Sequence, residues 1–558
     1  AWLAGLAERP VRPAHSAAEV LARLDGRLPA GPSDPVAVVD ALVEAVGGGL
    51  TATGSPRFFG YVVGGTLPAA LAADLLAVVW DQNAALASLS PAASAAETVA
   101  GRWVAELLGL PVDVSVGFTT GTQMAHVTAL AAARQRVLAD AGWDVAADGL
   151  TGAPPVRVLA GADRHATVDA ALRLLGFGTR AIVEVATDAL GRMRPDALRA
   201  ALDATAPARR PTIVIAQAGE INTGVFDPLA EICALAHAHG AWVHVDGAFG
   251  LWAAVSASAA RRALVAGAEL ADSWATDGHK WLNVPYDCGI ALVADRAAHR
   301  RAMSASADYF VLDSAGQLDP VDWTPEFSRR ARALAVYAAL RSLGHAGLRD
   351  LVDRCCDLAD HAATRLAALP GVTVLNATGD RGGPGPLVAL NQVLIRVDDP
   401  RPADRAHDPG QAGSAARGDR LTRRVTAAVT AGGEAYVTGT VWRGRAAMRL
   451  SVSNWATSRR EVDRAVAAIA AAVAEARRPS PATAVATAPH GGVPRAAPRR
   501  PATPIRTAAV SLRSAGPTQR WRCPAGCRGP LGCWRGKPRP SGRSPWRAHP
   551  ARRCAVRP

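Results

Sequence analysis

Lysine is almost missing from this sequence. Of 558 residues only Lys280 and Lys537 are lysine, although Lys and Arg together number 62. The rest of the basic complement is arginine in an alanine-rich background, which fits a GC-rich coding bias that replaces lysine wherever only charge matters. A lysine that survives such a bias is a candidate for chemistry arginine cannot perform: arginine stays protonated, whereas lysine can lose its proton and form a Schiff base. Acidic residues are missing from residues 479–558, which hold 16 basic side chains. The formal net charge of +14 therefore divides into +16 for that tail and −2 for the first 478 residues. The body is not a polyanion binder by charge; only the tail has that character.

Long apolar runs are also missing. No stretch of 18 uninterrupted apolar residues exists, so no transmembrane helix is expected. The chain opens on Ala1 without Met and lacks a basic-then-apolar leader, so a trimmed or partial chain with a cytoplasmic location is expected. Cysteine is sparse: Cys233, Cys288, Cys355 and Cys356 in the body, none in a C-x-x-C pair. Buried reduced thiols are the expectation. Cys523, Cys527 and Cys533, with His549 and Cys554, are donor types a zinc ion could use, but no second pair or strand pattern accompanies them, and no metal is expected.

What is present is an alternation. Residues 1–50 read as amphipathic helix fragments broken by prolines, followed by helical runs at 69–80 and 94–109. From 113 to about 295, strands at 114–118, 156–160, 182–185, 212–217, 242–246, 273–276 and 289–293 alternate with helical segments at 123–140, 166–176, 195–204 and 228–239. That order implies an α/β domain with a mostly parallel sheet. Residues 329–370 read as helix, 388–397 and 446–452 as strands, 461–477 as helix, and 399–418 as a mobile loop. The expected organisation is a helical segment (1–67), a large α/β domain (68–338), a small α+β domain (339–478) and a disordered Arg/Pro-rich tail (479–558).

Chemistry-bearing residues fall at the predicted carboxyl ends of strands, the edge that lines ligand crevices in open α/β sheets. Lys280 follows the strand at 273–276, between His279 and Trp281. Asp246 ends a strand before the turn Gly247-Ala248-Phe249-Gly250, where a carboxylate can pair with a protonated ring nitrogen. Gly121-Thr122-Gln123 opens a helix, where backbone N–H groups and a hydroxyl can bind phosphate or simply cap the helix. His165 follows another strand, as a general acid, a stacking plate or a structural residue. Asn222-Thr223-Gly224 lies beyond a fourth, where turn chemistry is the plain alternative.

Taken together, the motifs Pro56-Arg-Phe-Phe-Gly-Tyr61, Ser90-Pro-Ala-Ala with Glu97, Gly121-Thr-Gln123, Asp163-Arg-His165, Gly219-Glu-Ile-Asn-Thr-Gly-Val-Phe-Asp-Pro228, His244-Val-Asp-Gly-Ala-Phe249, Asp277-Gly-His-Lys-Trp281 and Arg449-Leu-Ser-Val-Ser-Asn-Trp455 resemble the group II pyridoxal-phosphate-dependent amino acid decarboxylases. The resemblance spans roughly residues 50–475. It implies the type I fold of pyridoxal phosphate (PLP) enzymes, a homodimer, and decarboxylation of an L-amino acid to amine and CO₂. By the resemblance, Lys280 would hold PLP as a Schiff base, Asp246 would pair with the pyridine nitrogen, Ala248 would lie against the ring and His165 would stack on its other face. Gly121, Thr122, Gln123 and His279 would bind the phosphate, with Asn222 and Thr223 beside the cofactor. Asp277 departs from the Asn or Ser common at its position, which sets a carboxylate beside a phosphate. Tyr309 falls where the family places a mobile-loop tyrosine that protonates the carbon left by CO₂. Phe59, Tyr61 and Val62 would line the substrate pocket.

Aromatic plates are few in that pocket wall: Thr53, Gly54, Ser55, Val62, Val63 and Gly64 stand where aromatic-substrate members carry bulkier residues, so strict aromatic amino acids are not the expected best substrates. Arg57 could face an acidic side chain, though a surface position is expected for it. Other PLP reactions share the Asp–Lys pair: aminotransferase, sulfinate decarboxylase, carbon–carbon lyase and aldehyde synthase. Tyr309 argues against the last. A nucleic-acid-binding role for the tail is the rival of another class; a shifted reading frame in GC-rich DNA is the plainer account of its composition.

Overall fold

The computed structural model describes residues 2–204, 210–305, 319–379, 385–398 and 411–478. Tyr309, residues 399–410 of the loop expected at 399–418, and the whole basic tail with its cysteines lie outside the described residues. Four helices precede the first strand: α1 (Ala17–Leu24), α2 (Pro35–Gly47), α3 (Pro68–Val79) and α4 (Pro91–Leu107). Strands and helices then alternate: β1 (Ser115–Thr119), α5 (Thr122–Ala139), α6 (Val145–Asp148), β2 (Arg157–Gly161), α7 (Ala166–Leu174), β3 (Ile182–Val185), α8 (Pro195–Asp203), β4 (Thr212–Gln217), α9 (Leu229–Ala238), β5 (Trp242–Asp246), α10 (Ala259–Ala263), β6 (Ser273–Asp277) and β7 (Gly289–Val293).

These seven strands form one sheet in the order β1-β7-β6-β5-β4-β2-β3. The β2–β3, β2–β4, β4–β5 and β5–β6 pairs are parallel; β7 runs antiparallel to both neighbours. Its reversed direction brings Gly289 opposite both Thr119 and Asp277, so the end of β1, the end of β6 and the start of β7 share one edge.

The strands read as near-continuous apolar runs because both faces are covered. Side chains still alternate. Leu159, Val214, Ala216, Val243, Val245 and Trp274 enter the larger core, on one face. Val158, Ala160, Ile213, Ile215 and Trp242 pack on the other against Ala129–Ala133 of α5 and Val168, Ala171 and Leu172 of α7. His244 and Asp246 have the parity of Trp242, which sets them on the α5 side.

The remaining elements are α11 (Arg296–Met303), α12 (Ala333–Ala367), β8 (Val372–Val374), β9 (Gln392–Val397), α13 (Gln411–Gly432), β10 (Thr438–Trp442), β11 (Arg445–Ser451) and α14 (Arg459–Arg477). β10-β11-β9-β8 make a second, antiparallel sheet. Three expectations are corrected here. Residues 411–418 belong to helix α13 rather than to a loop, because the apolar face formed by Leu421, Val425 and Val429 anchors the helix further along. The strand expected from 388 begins only at Gln392. The helix expected from 329 starts at Ala333 and breaks at Gly344, whose φ of 58° is not helical. Arg57 is also not at the surface: it is 1% exposed, and its guanidinium donates to Ala7 O, Arg9 O and the Glu434 carbonyl, tying the N-terminal segment down.

Candidate active site

The sheet edge that carries the ends of β1, β5 and β6 gathers most of the expected residues. Gly121 leads into α5 with φ +134°, a conformation open to glycine, and Thr122 N–H then emerges at the helix N-terminus. That N–H donates to Asp277 Oδ2 at 2.9 Å and the Thr122 hydroxyl donates to the same oxygen at 2.6 Å. His279 Nδ1 lies 2.7 Å from Asp277 Oδ1, an ion-pair distance that is not aligned as a hydrogen bond. Tyr286 covers the His279 ring at 4.0 Å between centroids. Three groups expected around a phosphate thus converge on a carboxylate of the chain itself. Gln123 stands exposed beside them.

Asp246 is buried at the end of β5. Its Oδ1 accepts from Ala248 N at 3.2 Å, and its Oδ2 lies 3.5 Å from Nε2 of His126 on α5. Burial alone would raise its pKa; the facing His126, with His165 and Lys280 further off, outweighs burial and holds the carboxyl far below the usual carboxylate range. His126 in turn meets His244 (Nδ1 to Nε2, 2.9 Å), and His244 Nδ1 meets Ser273 Oγ at 2.9 Å.

His165 caps α7 and stands on the open side of the cleft. Thr167 N donates to its Nδ1 at 3.3 Å, which leaves the ring proton of the neutral form on Nε2. The surrounding protein desolvates the ring and lowers its pKa, against the pull of Asp246 and with the push of Lys280. Lys280 follows β6 on a half-buried loop, close enough to Asp246, Asp277 and His165 to act on each electrostatically. The loop is held from two sides. A Cβ at Gly64 would come within 2.0 Å of Lys280 O, so only glycine lets the 62–65 segment pass there. Asn283 accepts from Gly65 N (2.7 Å) and Trp455 N (2.9 Å) and donates to Trp281 O and Ser453 O.

Thr223, Asn222, Phe59 and Val62 are turned away from this edge. Thr223 is fully buried and its hydroxyl is engaged with Leu190 O and Glu220. Asn222 donates to Glu220 and accepts from Thr440. The buried Glu220 carboxylate organises this turn, which is why its polar groups face inward. Phe59 and Val62 are enclosed in the core at 1% and 3% exposure, leaving no face for a substrate. Tyr61 is 56% exposed and lines a 770 Å³ cavity with Arg12, Arg423, Thr438, Thr440 and Arg449. Arg449 is buried, donates to Ile221 O at 3.2 Å, and keeps a buried Nε without a hydrogen-bond partner.

Sequence reasoning passed over His126, His244 and Arg449 as site residues. Two signals were available: His126 lies one helical turn after Thr122, and His244 is two residues before Asp246, hence on the same strand face.

A phosphorylated aldehyde with a basic ring nitrogen fits this edge on three observations. The α5 N-terminus already holds an anionic oxygen in place of a phosphate oxygen. A buried carboxylate is kept ionised where a ring cation would need it. The lysine, which can bond to an aldehyde, has no hydrogen-bond or ion-pair partner among the described residues.

Comparison with known proteins agrees. The model of the pyridoxal-dependent decarboxylase conserved domain matches residues 19–378. L-2,4-diaminobutyrate decarboxylase of Rhizobium meliloti (strain 1021) is 31% identical over 389 residues, 69% of this chain and 71% of that protein. Tyrosine decarboxylase of Oryza sativa subsp. japonica is 33% identical over 373 residues, 63% of this chain and 67% of that one. Among solved structures, Oryza sativa TDC with PLP and tryptamine superposes with a TM-score of 0.75 at 24% identity, over 85% of this chain and 95% of that chain. Mouse CSAD in its apo form gives 0.74 at 21% identity, over 84% and 94%. These two establish the shared fold.

Proposed function

Because the chain belongs to the pyridoxal-dependent decarboxylase family and is a PLP-dependent amino acid carboxy-lyase, we propose that its reaction centre is the β1–β5–β6 edge, with Lys280, Asp246 and His165 as the working residues. The observation that carries this reading is the placement of the body's single lysine within electrostatic reach of an Asp that the fold keeps ionised. Thr122, Gln123 and His279 would hold the phosphate and Ala248 would meet the ring. When bound, PLP supplies an aldehyde that takes up the substrate amine and a protonated ring that accepts the electron pair freed as CO₂ leaves.

The chain's own residues do the rest. Lys280 offers the amine that anchors the aldehyde carbon. Asp246 holds the ring-nitrogen proton. His165 presents its Nε2–H to the cleft from a ring kept neutral near pH 7 by its lowered pKa, so it can donate or relay a proton without adding charge. Tyr309 remains the proposed proton donor to the reacting carbon. Arg449 lines the cavity beside Tyr61 and lies within electrostatic reach of His165, so its guanidinium would be the partner for a substrate carboxylate.

The cavity around Tyr61 carries arginines and threonines, so we favour a polar rather than a strictly aromatic amino acid. The relatives differ in the substrates their names carry, from L-2,4-diaminobutyrate to tyrosine. The reading extends to a cytoplasmic homodimer. Supporting the dimer, α2 buries none of its own residues, and Val36, Val39, Leu42 and Val43 stand half or more exposed.

An absorbance spectrum tests the centre. The purified protein should show a cofactor band near about 420 nm that borohydride removes and that Lys280→Ala lacks. A band that persists in Lys280→Ala after dialysis would defeat the assignment. Assaying CO₂, amine, aldehyde and keto acid separately across a panel of amino acids identifies the substrate, and a preference for Trp or Dopa would overturn the polar-substrate reading.

A further inference from the structure

We infer that His126 is a positioning residue for the cofactor ring: an ordered chain running Trp242, Ser273, His244, His126 fixes a proton on His126 Nε2, aimed at the Asp246 oxygen, and so holds that carboxylate in its charged form. The inference rests on the reading of Asp246 as the partner of the PLP ring nitrogen.

The protons along this chain can be counted. Trp242 Nε1 can only donate, and it donates to Ser273 Oγ at 2.9 Å. The Ser273 hydroxyl has one proton to give, and His244 Nδ1 is 2.9 Å away. His244 Nε2 and His126 Nδ1 are 2.9 Å apart, so one proton lies between two ring nitrogens. The rings are nearly perpendicular, at 82°, an edge contact rather than a stack. All of these side chains are buried. His126 Nε2 is the terminal atom of the chain and has no hydrogen-bond partner. What it faces is Asp246 Oδ2, at 3.5 Å.

Suppose the shared proton belonged to a neutral His126. Its bare Nε2 lone pair would then point at a carboxylate in a dry interior, two negative ends with nothing between them. The opposite order satisfies every group. The Ser273 proton goes to His244 Nδ1, the His244 Nε2 proton goes to His126 Nδ1, and the His126 Nε2 proton faces Asp246. If His126 carries both protons, Nε2 is still protonated. Burial pushes His244 down to about 3, so that ring has a single proton and transmits the order without charging. The chain approaches Asp246 from the α5 side, leaving its remaining acceptor capacity for the cleft.

The test has two parts. In ¹⁵N-histidine-labelled, cofactor-free protein, the His126 ring signals, identified by their loss in His126→Gln, should show Nε2 protonated. A bare Nε2 overturns the inference. Next, PLP labelled with ¹⁵N in the ring is loaded into wild type, His126→Leu, His126→Gln and Ser273→Ala. Glutamine extends an amide N–H about as far as imidazole Nε2–H. The expected result is a protonated ring nitrogen in wild type and His126→Gln. In His126→Leu its signal should move toward the unprotonated range, with kcat down about 10- to 100-fold and KM within about threefold. Ser273→Ala should shift partway, and it supplies the reading if His126→Leu does not fold. A ring signal unchanged in both variants, or His126→Gln failing as badly as His126→Leu while folded, overturns the role. If wild type itself takes up no PLP, the proposed function fails, and the cofactor-free Nε2 measurement still decides the proton order.

Discussion

Asp277 sits at the α5 N-terminus, where we propose that the cofactor phosphate binds. Its carboxylate draws in the Thr122 N–H and hydroxyl and neighbours His279. An incoming phosphate must share these donors with it or displace it, against like-charge repulsion that is strong in a buried site. Asp277→Asn keeps an acceptor for Thr122 and removes the charge. It should tighten PLP binding about three- to tenfold, measured by fluorescence titration of the cofactor-free protein; weaker binding in the variant would refute the competition. Burial alone would raise the Asp277 pKa, but His279, Lys280 and Thr122 outweigh it and lower it. A folded pKa below the unfolded value of about 3.9 gives stability that is complete above that pH and lost as pH falls through the folded value. Acid unfolding followed by circular dichroism should therefore set in below about pH 4, with a shallower loss in Asp277→Asn. At this scale Lys280, Asp246 and His165 were legible because their positions after strands and lysine's rarity stand out in one dimension. His126 and Arg449 were not, since a histidine in an alanine helix and an arginine in a strand acquire meaning only from what packs opposite.

Among the elements, the large sheet was legible nearly strand for strand, since fully buried parallel strands are short apolar runs punctuated by glycine, proline and asparagine. The small sheet was harder. β8 has three residues and β10 carries an exposed face, so neither shows a run long enough to read. The turn after β4 shows how a carboxylate shapes an element. Asp227 accepts from Met193 N at 2.6 Å with one oxygen and from Gln217 N at 2.7 Å with the other. Asparagine would set an NH₂ against one of these donors. Asp227→Asn should cost about 1–3 kcal/mol of stability, read as a lower midpoint in urea; an unchanged midpoint would show that neither bond matters.

At the scale of the whole molecule, α2 is an apolar helix that packs against α1 yet buries none of its own residues, and the end of α3 adds Val78, Val79 and Trp80 to the exposed apolar surface. A second copy is the occupant we propose. Val39→Glu with Val43→Glu should shift sedimentation toward the monomer and lower thermal stability at fixed concentration; an unchanged mass would place the interface elsewhere.

Asn283 has a consequence in time. One buried amide joins Gly65, Trp281, Ser453 and Trp455, so the loop bearing Lys280 is fastened by residues made at both ends of synthesis. A ribosome that has finished Asn283 needs roughly 10–30 s more to deliver Trp455. Until then the lysine we propose as the cofactor anchor sits on an unfinished seat, where a circulating aldehyde would meet an ordinary amine. Nascent chains stalled before residue 445 should retain no borohydride-trapped cofactor, whereas chains released after residue 478 should. If Lys280 is the anchor we propose, cofactor capture waits on the synthesis of the Ser453–Trp455 segment that completes the fastening of its loop.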